Sequence, residues 1–448
     1  MRRLPTPEIH AMTHHRRFPI ATLILLSLLP RTPAAESQAV LLRGAVVHTV
    51  SGEALNPGQV LIKNGRIEAV GKEVAAEGAK EVDLTGRHLY PGLIAATTLL
   101  GLTEIDAVRA TRDSAEVGGY TPDVTSWIAV NPDSELIPTA RANGIAYAVP
   151  TPRGGAVPGH SGMISLNGWT SEDLVFRKPL ALHANWPSMA LNITPKEQAQ
   201  DRSKWKSPED QAKQRRKSLS ELESFFQEAM AYARAREARP STPVNPPWES
   251  MRPALSGQIP VVVHANDFRQ IRAAVEWART NRLRLVIAGG RDAAREVSLL
   301  ASNKVGVIFE HVFNRALRDT EPYDALFSTP ASLAKAGVTC AISAGVDDMA
   351  ETEIRNLAYH AAQAVAFGLP ADQALKAITL HPAQLLGVAQ ELGSIDVGKQ
   401  ASLIALDGDI LDIRSNVRSM WIAGQPVDLA TRHTRLYDRY RQRPKANE

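Results

Sequence analysis

At 448 residues the chain exceeds the size at which one hydrophobic core usually stops growing, so two structural units or a barrel with additions are expected. Hydrophobic residues make up 44% and charged residues 22%, an ordinary globular composition that excludes general disorder. The net charge of +4 is small, part of it sits at Arg2, Arg3, Arg16 and Arg17, and no basic stripe with interleaved aromatics follows, which excludes a nucleic-acid footprint.

The first 35 residues read as a secretory signal: Arg16-Arg17, an apolar run from Phe18 to Leu29, then Ala34-Ala35 at a cleavage point. The run falls short of the roughly 20 residues that span a bilayer. An uncleaved anchor is the competing reading, and Met12 is a second candidate start. A periplasmic or secreted location is expected, with no transmembrane segment after the signal. Cys340 stands alone and cannot form an intramolecular disulfide.

From Ala39 the pattern is one of short strands: AVLLRGAVVHTV, GQVLIKNGRIEAVG and KEVDLTG. Asn64-Gly65 between two apolar runs predicts a type I′ hairpin. The far end answers with GSIDVGKQASLIALDGDIL and VRSMWIAGQPVDL, so residues 36–90 and 392–430 are expected to form one composite β-sandwich. Between them, over 91–391, strand-like runs (YPGLIAA, GIAYAVP, QIPVVVHA, LRLVIAGG, VGVIFEH, VTCAISAG) alternate with amphipathic helices such as FRQIRAAVEWARTN and DAAREVSLLASN. That alternation predicts parallel β-α units with both faces covered, hence an α/β fold with a TIM-like (β/α)8 barrel; an open doubly wound sheet is the alternative. Residues 188–257 depart from it as a charged helical excursion followed by a stiff proline-rich loop, and 431–448 form a C-terminal tail.

Candidate site residues fall at strand ends, where barrel enzymes place their chemistry. His264 follows three valines, with Asn266 and Asp267 next. His311 comes after VGVIFE with Glu310 beside it, and Asp347-Asp348 come after the last strand-like run. If these clusters converge, His264, His311 and Asp347 make a catalytic set, able to bind a metal in a shifted arrangement or to act as a His/Asp acid–base pair. The bland alternatives are histidines that satisfy loop backbone and aspartates that cap the helix from Ala350. Asn266, Arg291, Arg153 and His160 are candidate binding residues. Arg153-Gly154-Gly155 and Pro158–Gly162 read as a glycine-rich loop walling the pocket, and Gly289–Asp292 reads as a simple helix start, the alternative being that its amides and Arg291 receive a carboxylate. No Gly-x-Ser-x-Gly elbow is present, and Cys340 sits mid-strand as a packed residue.

Five segments together resemble the amidohydrolase superfamily in its imidazolonepropionase-like and dihydroorotase-like branches. VLIKNGRIEAVG is similar to the family's sandwich hairpin, DLTGRHLYPGLIAATTLLG to the junction with the first barrel strand, and PVVVHAND to the fifth strand. GLPADQALKAITLHPAQLLGV and LGSIDVGKQASLIALDGDIL are similar to the return from barrel to sandwich. The resemblance implies a metal-dependent hydrolase of carbon–nitrogen (non-peptide) bonds such as cyclic amides, with zinc as the cofactor. Its motifs do not support that metal here. The family's Asp and His-x-His positions are Ala95, Thr97 and Leu99, the sixth-strand histidine should fall near Ile287–Gly289, and the eighth-strand aspartate near Gly345. His264 is the only retained ligand position, and a catalytic zinc needs about three protein ligands. Two readings follow: an exported hydrolase of a small-molecule substrate with an atypical or lost metal site, or a non-catalytic pseudoenzyme that binds a small ligand or a partner hydrolase. Self-association is left open.

Overall fold

In the computed structural model, which describes residues 39–443 except 348, Asn64 and Gly65 take φ of 50° and 76°. Two successive left-handed residues make the type I′ turn predicted for them, and the strands on either side pair antiparallel with Lys63 opposite Arg66. The leader, residues 444–448 of the tail and Asp348 lie outside the described residues.

Strands are numbered in chain order. β1 (Val40–Val47), β2 (Leu55–Lys63), β3 (Arg66–Gly71), β4 (Lys80–Asp83) and β5 (His88–Pro91) come from the first part of the chain. β6 (Leu93–Thr98), β7 (Ile145–Pro150), β8 (Gly159–Ser165), β9 (Val175–Asn185), β10 (Val261–Ala265), β11 (Leu285–Gly289), β12 (Gly306–Phe309) and β13 (Cys340–Ile342) follow, then β14 (Leu403–Leu406), β15 (Val417–Ile422) and β16 (Gln425–Pro426).

One sheet runs β16-β15-β14-β5-β1-β2-β3, with β4 beside β1, so the two ends of the chain share a sheet as expected. The splice is β14 against β5, where Ile404 lies opposite Tyr90. Its own core gathers Leu42, Val47, Val60, Ile62, Leu89, Leu403 and Trp421 from both ends. The second sheet takes β6 to β13 in sequence order and is nearly a closed barrel. Its edges are tied by Ser343, whose hydroxyl donates to the Thr97 carbonyl (2.7 Å) and accepts from the Thr97 amide (3.2 Å). The strands β10 to β12 are buried except at one end, as expected of a parallel sheet covered by helices.

The structure corrects four local expectations. Gly159–Ser165 is not loop but strand β8, antiparallel to both neighbours, so one barrel strand runs against the rest. Val175–Asn185 is a strand the sequence reading missed: the exposed Arg177, Lys178 and Pro179 interrupt it before its buried second half. The proline-rich segment is a helix, Pro246–Leu255: Asn245 caps it, Pro246 and Pro247 fall in the first turn, where no amide donor is needed, and a third proline, Pro253, is accommodated in its last turn. The tail carries a helix, Arg432–Arg441, with a capping box at Thr431. The charged excursion is a helix as expected, Pro208–Ala238. Ser207 accepts from the Asp210 amide at its start, and Leu222, Phe226, Ala229 and Tyr232 form its buried stripe. Among the described residues no helix is long and apolar enough to cross a membrane.

Candidate active site

The carboxyl ends of the barrel strands open into a polar cavity of about 290 Å³. Arg153 and Gly154 line it after β7, Asn185 and Trp186 after β9, and His264 and Asn266 at the end of β10. Ala288 and Gly289 come from β11, Glu310 from the turn after β12, and Val346 and Asp347 from the segment after β13. Residues far apart in sequence meet here because each parallel strand delivers its last side chain to the same rim.

Of the expected set, His264, Asp347, Asn266 and Arg153 all reach this cavity. His311 does not. It is buried behind the wall, where its Nε2–H donates to Asn266 Oδ1 at 2.6 Å and so fixes that amide. Arg291 stands beside the rim: its backbone amide donates to Asn266 Oδ1 (3.3 Å) and its guanidinium to the Arg315 carbonyl (3.4 Å). His160 is no cavity wall. It lies buried on β8, its Nδ1–H donating to the Pro122 carbonyl at 2.7 Å. Among the described residues no side chain caps the helix from Ala350, whose cap position is Met349; the Asp347 carbonyl accepts from the Ala350 amide, and Asp348, the other half of the expected cap, lies outside the described residues.

His183, on the strand the sequence did not reveal, sits next to His264. Its Nδ1 lies 3.0 Å from His264 Nε2, and its Nε2 lies 2.8 Å from Ser161 Oγ. Burial pushes His264 down to about 4; it lowers His183 too, with the imidazoles of His264 and His160 adding to the effect. Both rings are therefore neutral near pH 7, and one of the two donates to the other. Burial likewise takes His311 down to about 3, helped by the Arg291 charge.

Glu310 is the second residue whose weight the sequence understated. Its Oε1 accepts from Thr97 Oγ1 at 2.5 Å. Its Oε2 occupies the space over Gly345: a Cβ built there would stand 2.9 Å from that oxygen. Burial raises the carboxyl to about 7; the Thr97 hydroxyl opposes this and the Asp347 charge adds to it. A carboxyl that can gain or lose a proton near neutrality is suited to proton transfer. Its only textual signal was its place beside His311 at a strand end.

The positions that the resemblance would make metal ligands carry other chemistry. Thr97 is occupied with Glu310, Leu99 is fully buried, and Ala288 presents a methyl group to the cavity. Among the described residues, no group of three or more His, Cys, Asp or Glu side chains is arranged to hold a metal ion. Cys340 is buried in β13 and its thiol is pushed up to about 12, so it is not a nucleophile.

Comparison with known proteins agrees with this architecture. A model of the amidohydrolase family matches residues 302–429. The crystal structure of an amidohydrolase from Thermotoga maritima MSB8 superposes with a TM-score of 0.75 at 25% identity, covering 87% of this chain and 99% of that one. The amidohydrolase tasK of Hapsidospora irregularis is 26% identical over 200 residues, 42% of this chain and 20% of its own length. A putative N-acetylgalactosamine-6-phosphate deacetylase of Escherichia coli (strain K12) is 35% identical over 90 residues, 20% of this chain and 42% of its own. The chain thus spans a fifth of the first of these curated relatives and less than half of the second. The family model over residues 302–429 and the structural likeness over 87% of the chain agree with the resemblance to the amidohydrolase superfamily read from the sequence.

Proposed function

We propose that the chain is an exported hydrolase of a carbon–nitrogen bond in a small polar molecule such as a cyclic amide, with chemistry that does not run through the metal set of its superfamily. The observation that carries this reading is the cavity itself. Two carboxyls and one imidazole, Glu310, Asp347 and His264, converge with Arg153 and Asn266 where a barrel keeps its reacting groups. The cavity volume suits a small molecule. The deacetylase relative is named for an N-acetyl substrate, which is also an amide. The donors present do not fit a catalytic divalent ion: His264 Nε2 is engaged by His183, one oxygen of Glu310 by Thr97, Ala288 offers no lone pair, and among the described residues Asp347 does not join two other ligand side chains in an arrangement that would hold an ion.

A second reading, a pseudoenzyme that binds a small ligand, is favoured by the same replacements and by the burial of the lone thiol. One experiment separates the two. Untagged protein is analysed for metals and assayed on a panel of a hydantoin, a lactam and a dipeptide. The hydrolase reading expects turnover of a cyclic amide without stoichiometric metal. Stoichiometric zinc, manganese or iron that disappears in His264→Ala would overturn the metal-free chemistry. Saturable binding with no turnover would leave the pseudoenzyme.

A further inference from the structure

The Glu310 carboxyl occupies a prepared seat. Thr97, at the end of β6, donates to one of its oxygens. Gly345, beyond β13, leaves open the space that the other oxygen fills, and does so at φ +83°, a conformation side chains rarely take. Thr97 lies in one of the edge strands that Ser343 ties together and Gly345 in the segment just after the other, so the carboxyl is held across the seam of the barrel and faces the cavity. Holding it there requires a hydroxyl at 97 and no side chain at 345, and both conditions are met.

We propose that Glu310 is the catalytic proton-transfer residue of this cavity. The proposal rests on the hydrolase reading above. As a carboxylate, Glu310 takes a proton from water while the water oxygen bonds to the amide carbon. The protonated Glu310 then gives that proton to the leaving nitrogen as the carbon–nitrogen bond breaks. One water is consumed, the ring of a cyclic amide opens to a single product that carries the new carboxyl and the protonated nitrogen, and the carboxylate of Glu310 is restored. The competing groups are less suited. The neutral His264 ring is a weak base whose Nε2 is already engaged by His183. Titration of Glu310 near neutrality places its proton where both halves of the cycle can use it. The charged and titratable groups lining the cavity with it are Asp347, His264 and Arg153.

The test compares wild type, Glu310→Gln and Thr97→Val on whichever panel compound the wild type hydrolyses. Glu310→Gln is expected to lower kcat by about 100-fold or more and to erase the rise of kcat/KM with pH near 7. Thr97→Val removes the donor that favours the carboxylate, so its rise should move to higher pH with the fold intact by circular dichroism. Glu310→Gln activity within threefold of wild type, or an unmoved rise in Thr97→Val, would sink the proposal and leave the hydrolase reading standing. A wild type inert on every compound would sink both. Should Glu310→Gln fail to fold, Thr97→Val decides alone.

Discussion

Gly345 joins two constraints at one atom. Its φ of +83° disfavours any Cβ, and the place that Cβ would take is 2.9 Å from Glu310 Oε2. Gly345→Ala must therefore twist the backbone or displace the carboxyl. A loss of about 1–3 kcal/mol is expected, the range for a non-glycine residue held in a sparsely populated conformation. Urea unfolding measures it, and an unchanged midpoint would show the seat to be loose. At this scale the sequence was partly legible. His264, Asn266, Arg153 and Asp347 could be placed because a polar residue directly after an apolar strand falls on the barrel rim. His183 could not, because the exposed Arg177-Lys178-Pro179 stretch breaks the apolar run of its strand. The weight of Glu310 could not either, since it depends on Thr97 and Gly345, 213 residues before it and 35 after, and only closure of the barrel joins them.

The helix Phe268–Asn281 starts directly behind the cavity residues and holds them in register. Asp267 accepts from the Arg269 amide, while Gln270 Oε1 accepts from the amides of Asn266 and Asp267. Gln270 Nε2 also donates to the Trp186 carbonyl, linking the helix to the wall after β9. Asp267→Ala removes the capping carboxylate and is expected to cost about 1–2 kcal/mol, with a slackened His264–Asn266 turn. Thermal unfolding tests it; a variant as stable as wild type would show that Gln270 suffices. This helix was readable because its buried Ile271, Ala274, Val275 and Ala278 repeat at helical spacing. Strand β8 was not, since GHSGMIS mixes glycine and polar residues, and only its place between β7 and β9 makes it a strand. The helix Pro246–Leu255 was hidden by a composition that suits a first turn as well as a loop.

Across the whole molecule, assembly of one sheet from both chain ends was the most legible feature, because hairpin chemistry at Asn64-Gly65 and glycine-punctuated apolar runs at the far end are local signals. What no local pattern announces is how many imidazoles the finished fold buries. His160, His264 and His360 are each pushed down to about 4 and His311 to about 3, all chiefly by burial; His183 is lowered by the same cause. In the unfolded chain these groups titrate near 6.5. Between 6.5 and about 4 the unfolded chain therefore binds more protons than the folded one, so stability rises with pH there and is lost as pH falls. Each histidine withdraws about 1.4 kcal/mol per pH unit well inside that window. Glu310 acts in the opposite sense. Its folded value near 7 exceeds the 4.5 of the unfolded chain, so its contribution is present below 4.5 and lost as pH rises toward 7. Several histidines against one glutamate leave the imidazoles dominant. Urea unfolding at pH 7, 6 and 5 should show stability dropping by several kcal/mol between pH 6.5 and 5, well above the range where surface carboxylates titrate. A profile flat across that interval would mean that these rings are hydrated in the folded protein, and replacing His160 and His360 with apolar residues should then leave it unchanged; if burial is the cause, each replacement should flatten the slope by one histidine's share.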